Sequence, residues 1–461
     1  MDLSVRTGQR PHRIGATILL ALLLVSSMNS EIRAQTQWAL SASNPVLNPG
    51  PAGSWDQNTV FLPCVIKTGD TLKMWYGGTD ATVDQRRPQT GYAWSLDGIS
   101  WTKYAGNPVL AKRASEWDDG GVAARAVIQD GDTLRLWYTG LSSTGTLGPG
   151  KNSAGYATST DGLTWTRSPS PVLQPGGTGE WDSDIFEPGS VIKEDGVYKM
   201  WYSGGTGAFW QPSHTISIGH ATSSDGMNWV KYNDTLTSGP PYQESDPVLQ
   251  HGSSSAYDAN RAWTPVVRKT TTGYEMWYTG GSVSLGGQVI MYATSPDGIH
   301  WTISNGPVLQ ATGSWMSNHV IAPSVIFGDG RYHMWFSGFA APNFNTAKIG
   351  YATSTPAGNA IAPGESPQST RLEQNYPNPF NPTTDVRYQV SRVIDVRISV
   401  YDLLGRELAV IVNERKAPGN YEVPFDASGL ASGVYIYRMT AGLPAGQGGS
   451  FVQTRKMIVV R

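Results

Sequence analysis

The chain has 461 residues, 34 Lys and Arg against 36 Asp and Glu for a net charge of −2, and one cysteine. That length exceeds one ordinary domain, the balance of charge excludes the basic footprint of a nucleic-acid binder, and one cysteine excludes an internal disulfide. Stability has to come from buried apolar surface, for which 17 Trp, 21 Tyr and 10 Phe supply the bulk.

At the N-terminus Arg6, Arg10, His12 and Arg13 precede an apolar run from Ile14 to Val25, and Ile32-Arg33-Ala34 offers a cleavage point before Gln35. This order predicts a secretory signal peptide over residues 1–34, its apolar core short for a membrane span. An uncleaved anchor helix is the alternative. No other stretch approaches membrane length, so no transmembrane segment is expected after signal removal.

Residues 35–356 repeat one theme. Met74-Trp75-Tyr76-Gly77 returns as Leu136-Trp137-Tyr138-Thr139-Gly140, Met200-Trp201-Tyr202-Ser203-Gly204, Met276-Trp277-Tyr278-Thr279-Gly280 and Met334-Trp335-Phe336-Ser337-Gly338. Each copy is followed by a second module. It reads Gly91-Tyr92-Ala93-Trp94-Ser95 with Asp97-Gly98 and Trp101, and recurs around Asp161-Gly162, Asp225-Gly226 and Asp297-Gly298. Asp-Gly between alternating stretches signals a tight hairpin, because glycine reaches positive φ without strain. A period of roughly 60 to 70 residues rich in aromatics and glycine marks a radially repeated all-β architecture.

The fifth copy, Gly350-Tyr351-Ala352-Thr353-Ser354, lacks the outer strand that elsewhere runs from the Trp into Asn107-Pro108-Val109-Leu110 and its counterparts. Trp38 and Asn44-Pro45-Val46-Leu47 carry the same spacing near the N-terminus. The expected fold is therefore an all-β, five-bladed β-propeller whose last blade is completed by an N-terminal strand, which removes exposed edges. Cys64 falls in an inner strand and is expected to be buried.

Pro, Gly, Ala and Ser then dominate, which reads as a linker over residues 357–371. Residues 372–461 follow with Asn375-Tyr376-Pro377-Asn378-Pro379-Phe380-Asn381-Pro382 and with period-two runs such as Val396-Arg397-Ile398-Ser399-Val400-Tyr401 and Val434-Tyr435-Ile436-Tyr437-Arg438. The alternation predicts a small Ig-like β-sandwich. The opening, together with Tyr401-Asp402, Gly405-Arg406 and Ser432-Gly433-Val434-Tyr435, resembles the C-terminal sorting domain of the type IX secretion system. That resemblance implies the type IX machinery as a partner and a protein secreted or attached to the outer cell surface. An ordinary Ig-like spacer or binding module is the alternative.

Function has to be read from the loops. The Asp-Gly turns join the third and fourth strands of each blade, away from the mouth, and resemble the Asp-box turns of sialidase-like propellers, one residue shorter. Their expected role is structural. The mouth is built from the approaches to the inner strands, where an aspartate follows an aromatic in four blades and reads as a repeated turn. Departures from repetition are more informative, and they are Asp119, Arg125, Asp184, Glu187, Arg261, Trp263 and His319. The loop from Gly205 to Ser217 adds Phe209 and Trp210. Aromatics among Asp, Arg, His and amides such as Asn260 around a depression suit a sugar, by stacking and hydrogen bonding.

The Trp-Asp approaches, Pro-x-Val-Ile strands and Tyr-Ala-Thr-Ser-x-Asp-Gly-x-x-Trp modules resemble the five-bladed arabinanase, levansucrase and invertase superfamily, the fold of family 43 and family 32 glycoside hydrolases. The resemblance implies three carboxylates at the axis acting as base or nucleophile, acid and modulator. Glu187-Pro188 matches the strand that presents the acid. Before Pro63, where the family carries an aspartate, this chain has Leu62, so Asp184 and Asp119 are the candidates for the remaining roles. Arg125, Phe209, Trp210, Asn260, Arg261, Trp263 and His319 are the expected sugar contacts.

Two functions follow: a glycoside hydrolase-like propeller acting on polysaccharide by acid/base chemistry, or a non-catalytic glycan-binding propeller. The sequence indicates no cofactor and leaves open a structural calcium in the central channel, with His319 either a ligand there or a hydrogen-bonding residue. A monomer is expected.

Overall fold

The computed structural model describes residues 38–80, 87–143, 152–207, 214–253, 255–283, 286–328, 331–340, 346–354, 370–390, 394–416, 419–442 and 451–460. The expected signal peptide, most of the expected linker, Phe209 and Trp210 lie outside them. The chain divides into two compact units, one of residues up to 357 except 327–331, the other holding 358–461 with 327–331.

The first unit is a succession of antiparallel meanders. After β1 (Ala39–Leu40), the first comprises β2 (Thr59–Thr68), β3 (Thr71–Thr79), β4 (Gln89–Ser95) and β5 (Thr102–Lys103). The second comprises β6 (Gly121–Asp130), β7 (Thr133–Leu141), β8 (Asn152–Ser159) and β9 (Thr166–Arg167). The third has β10 (Ile185–Glu194), β11 (Val197–Thr206), β12 (Thr215–Ser223), β13 (Val230–Lys231) and β14 (Pro247–Leu249). The fourth has β15 (Arg261–Lys269), β16 (Tyr274–Ser282), β17 (Gly287–Ser295) and β18 (Thr302–Ile303). The fifth has β19 (His319–Gly328), β20 (Arg331–Phe339) and β21 (Lys348–Ser354).

The Met-Trp-Tyr strands are the second of each meander. They are covered on both faces, which is why they read as unbroken apolar runs rather than alternating ones. Trp75, Trp137, Trp201, Trp277 and Trp335 all have no exposed surface. Each indole but that of Trp277 reaches the Asp-Gly turn of the following meander: Trp75 donates to Gly162 O, Trp137 to Gly226 O, Trp201 to Gly298 O and Trp335 to Gly98 O, at 2.8–2.9 Å. The same carbonyls accept the N–H of their own Trp165, Trp229, Trp301 and Trp101, and each ring pair meets edge to face. Glycine is required here twice over. Its φ is between 76° and 84°, and a Cβ would lie 2.7–2.9 Å from the incoming indole. The aspartate of each turn accepts from the backbone N–H groups two and three residues further on, holding Asp161 down to about 2. These turns are structural, as expected.

The aspartate after the aromatic has a second repeated task. Asp56 accepts from the Tyr76 hydroxyl and pairs with Lys103 at 2.6 Å, Asp118 with Tyr138, Arg113 and Arg167, and Asp182 with Tyr202 and Lys231. Burial, reinforced by the adjacent carboxylate, pushes the Tyr76 and Tyr138 phenols far up. In the fourth meander Asp258 keeps Tyr278 at 2.8 Å, but Ile303 stands where the others have a cation. In the fifth all three members become apolar: Met316, Phe336 and Leu40. The three change together because a buried charge without its partners is costly, while a fully apolar set of similar bulk is not.

The fifth meander is completed by the N-terminus. Ala39 and Leu40 pair with Thr353 and Ala352, and Asn44 brackets Tyr351 by two hydrogen bonds as Asn107 brackets Tyr92. Val60 N donates to Ala347 O, so the last meander meets the first. The outer strands are shorter than the sequence suggests. They stop after two residues, a turn intervenes, and the Pro-Val-Leu segments return mostly as single bridges such as Thr90 with Leu110. Proline lacks the N–H that a continuous ladder needs. The sequence carries no Asp-Gly dipeptide at the seam, and the indole N–H groups of Trp38 and Trp277 find no hydrogen-bond acceptor among the described residues, although the rings still meet edge to face.

The second unit has two sheets on one core. β22 (Arg371–Leu372), β23 (Thr383–Val390) and β26 (Gly419–Asp426) form one; β24 (Ile394–Tyr401), β25 (Glu407–Lys416), β27 (Gly433–Gly442) and β28 (Phe451–Val459) form the other in the order β25-β24-β27-β28. Alternate residues Val386, Tyr388 and Val390 of one sheet and Val396, Ile398 and Val400 of the other share that core. The Asn-rich opening ties the unit together. Asn375 is buried against Thr384 and Tyr437, and Asn378 accepts from Ile458 N in the last strand.

Trp201→Phe and Trp277→Phe remove equally buried rings, but only the first loses a hydrogen bond within the described structure. Trp201→Phe is expected to lower the unfolding free energy by about 1 kcal/mol more than Trp277→Phe, measured by denaturant titration. His220 replaces the repeated tyrosine of Tyr92 and Tyr156, and burial, then the Lys199 charge, holds it down to about 4. The unfolded chain therefore binds the proton first as pH falls from about 6.5 to about 4, costing up to about 3 kcal/mol over that window. His220→Tyr should flatten that part of the stability profile, and an unchanged profile would refute the assignment.

Candidate functional site

The inner strands meet in one apolar cluster containing Phe61, Ala123, Trp263 and Ile321 at equivalent positions, with Leu62 and Ala322 beside them. Glu187 holds the fifth equivalent position. A bulge follows each of these residues where pairing is recorded, between Phe61 and Cys64, Ala124 and Ala126, Pro188 and Ser190, and Trp263 and Val266. Leu62 and Thr264 sit at bulges, and Ala322 at the equivalent position of the fifth inner strand, all with φ near 50°, a conformation costing about 1–3 kcal/mol each in non-glycine residues.

What holds those bulges is the variable fourth residue of the Met-Trp-Tyr motif. Ser337 accepts from Leu62 N, Ser203 from Thr264 N and Thr279 from Ala322 N, at 2.8–3.0 Å, each reaching the next meander. The first meander has Gly77 there, and Thr90 takes over by accepting from Ala124 N. At the third inner strand the pattern fails differently. Pro188 has no N–H to give, and the Thr139 hydroxyl instead accepts from Arg125 Nε at 2.9 Å.

Arg125, so oriented, places Nη2 2.6 Å from Glu187 Oε2, with both side chains no more than 10% exposed. The Trp263 indole donates to the same oxygen at 2.7 Å, and Asn152 Nδ2 approaches Oε1 at 3.4 Å. Glu187, expected as the acid, is thus the anionic half of a buried ion pair.

The other two expected catalytic carboxylates do not join it. Asp119 accepts from Ser143 N and Oγ, and Asp184 from Gly207 N. Asn260 accepts from Val283 N in the same way, whereas Asn58 donates to Asp80 O. Asn58, Asp184 and Asn260 occupy one repeated position directly before the inner strand, held in the second meander by Gly120, and Asp119 clasps the loop that follows the second strand from one residue earlier. Asp184 therefore shares a clasp with Asn260, and Asp119 makes a similar clasp from the neighbouring position.

Arg261 and His319 begin the fourth and fifth inner strands. His319 stacks on Phe339 with centroids 4.3 Å apart, and burial with the neighbouring Arg261 charge holds it down to about 4, so it is neutral at neutral pH. Burial lowers Arg261 as well. Arg125 also lines, with Leu62, Pro63, Ala124, Pro265 and Pro323, a cavity of about 30 Å³, far under the roughly 300 Å³ at which ligand pockets begin. Calcium requires oxygen ligands, and this lining presents no carboxylate among the described residues. Asn152 and Thr139 escaped sequence reasoning. Thr139 was legible only as one of five variable residues in a repeat, and Asn152 carried no signal.

Residues 374–459 match the family described as the Secretion system C-terminal sorting domain. This tail marks the protein for type IX export to the cell surface or medium. Elsewhere, the chain is 30% identical over 233 residues to uncharacterized protein MT1551 of Mycobacterium tuberculosis, covering 49% of this chain and 69% of that one. It is 29% identical over 138 residues to the 1,2-beta-oligomannan phosphorylase of Thermoanaerobacter sp., covering 29% of this chain and 44% of that enzyme. A solved member of the GH130 family of mannoside phosphorylases, which contains glycoside hydrolases that target beta-1,2 mannosidic linkages in Candida mannan, shares the fold. It is 18% identical with a TM-score of 0.54, over 70% of this chain and 94% of that one. The fold is that of β-propeller glycosidases and phosphorylases.

Arg125→Met should lower the unfolding free energy by about 3 kcal/mol, because it leaves a buried carboxylate uncompensated. Arg125→Met with Glu187→Met should recover most of that loss in guanidinium denaturation. Equal losses in single and double variants would show that the pair is not the anchor described.

Proposed function

The chain belongs to the same family as the uncharacterized Mycobacterium tuberculosis protein MT1551, and on that premise we propose that it is an exported propeller that binds glycan without cleaving it. The observation that carries this reading is the composition of the five equivalent inward positions: Phe61, Ala123, Glu187, Trp263 and Ile321. One carboxylate stands among four apolar residues, and Arg125 and Trp263 engage it. Hydrolysis by the usual route needs two carboxyl groups roughly 5 to 10 Å apart.

The organisation proposed is a signal peptide over 1–34, a five-bladed propeller over 35–356 of the arabinanase, levansucrase and invertase type, a linker over 357–371 and an Ig-like sorting domain over 372–461. The sugar sits above the closed axis against Arg125, Asn260, Arg261, Trp263 and His319, with Phe209 and Trp210 as stacking partners. Likeness to the oligomannan phosphorylase favours a β-linked mannan as the glycan. The protein acts as a monomer.

Affinity electrophoresis through β-mannan, with product analysis in parallel, tests the reading. The full chain should be retarded without releasing sugar, and Arg261→Ala should weaken retardation about tenfold, as loss of a central anchor does. Sugar released by the wild type and not by Glu187→Gln would restore the hydrolytic reading.

A further inference from the structure

The hairpin joining β24 and β25 carries two leucines into solvent at its tip. Leu403 is 71% and Leu404 81% exposed, and Leu408 and Val410 on the adjoining edge strand are 42% and 45% exposed. A turn free to choose its residues takes polar ones. Here the turn is also tightly built. Asp402 Oδ1 accepts from Leu404 N and Arg406 N at 2.9 Å, Oδ2 from Arg406 Nε at 2.6 Å, and the backbones of Asp402, Gly405 and Arg406 close two further bonds. Gly405 supplies the positive φ of 82°.

The charges beside the leucines are spent within the unit. Arg406 pairs with Asp402, and Glu407 with Arg397 at 2.7 Å. The tip therefore has little charge with which to attract an ionic partner, and leucine offers no hydrogen bond to a sugar or a nucleic acid. What remains is two apolar side chains in a fixed orientation, and that fixing reduces the entropy lost on docking.

We propose that the Asp402–Arg406 turn is the feature by which a protein of the export machinery grips this chain, through an apolar pocket that accepts Leu403 and Leu404. The inference rests on reading residues 372–461 as the export address. The occupant is a receptor protein because the turn lies within the matched sorting domain, whose task requires recognition by another protein.

The test uses the full chain in a host with type IX secretion, with the fraction reaching the surface and medium measured by immunoblot. Leu403→Ser/Leu404→Ser should reduce export at least about tenfold, as truncation of paired anchors does, with thermal unfolding unchanged. Leu403→Ile/Leu404→Ile should retain export, and Leu236→Ser, which removes another exposed leucine, should not alter it. Wild-type export of the double serine variant overturns the proposal. So does loss of a dimer without loss of export, which would assign the leucines to self-association. A chain lacking residues 372–461 serves as the second arm: if it is exported normally, the tail is not the address and the underlying reading fails instead.

Discussion

A glycine carbonyl shared by two tryptophans is the contact on which the first unit depends. Gly162 O receives the indole N–H of Trp165 from its own meander and of Trp75 from the one before, and the arrangement recurs at Gly226, Gly298 and Gly98. Each is a hydrogen bond between meanders made where water is excluded, so the alternative is an unsatisfied donor rather than a hydrated one. It also fixes spacing. The ring can reach the carbonyl only because the turn residue has no Cβ, and this couples the Asp-Gly dipeptide of one meander to the Met-Trp-Tyr of its neighbour.

The repeat is interrupted in two places, and the interruptions have different physics. At the seam, the fifth meander is made from both ends of the chain, so its turn carbonyl is missing and its polar triad has become Met316, Phe336 and Leu40. At the seam the outer strand belongs to the other end of the chain, and an apolar triad there buries no ion. At the third inner strand, Pro188 withholds one N–H, which releases Thr139 to orient Arg125 against Glu187. A backbone restriction at one residue thus orients a charge on another meander, and that charge gives the axis a buried ion pair.

Much of this was legible in advance. The meanders, the structural Asp-Gly turns and the N-terminal strand on the last meander follow from repetition, because a contact made several times leaves several copies of its residues. The two-sheet second unit follows from period-two alternation. The contacts around the expected site were less legible. Glu187 shares its position with four apolar inner-strand residues, while Asp184 and Asn260 alternate at one clasp position and Asp119 clasps from the residue before it, a relation that no single copy of the repeat displays. For Arg125, expected at a sugar, the structure adds that its guanidinium engages Glu187 and Thr139. Continuous outer strands were also expected, and prolines within those segments break them.

The sequence by itself determined the elements, their order and the export tail, because these depend on local propensity, on periodicity and on glycines that only certain backbones require. Tertiary structure alone decided which polar groups meet. Glu187 and Arg125 are 62 residues apart and Trp263 lies 76 beyond Glu187, so their convergence on one oxygen depends on how adjacent meanders pack and on where each inner strand bulges. Whether a carboxylate is an acid or half of an ion pair is set by neighbours within a few ångströms, and distance along the chain carries no record of them.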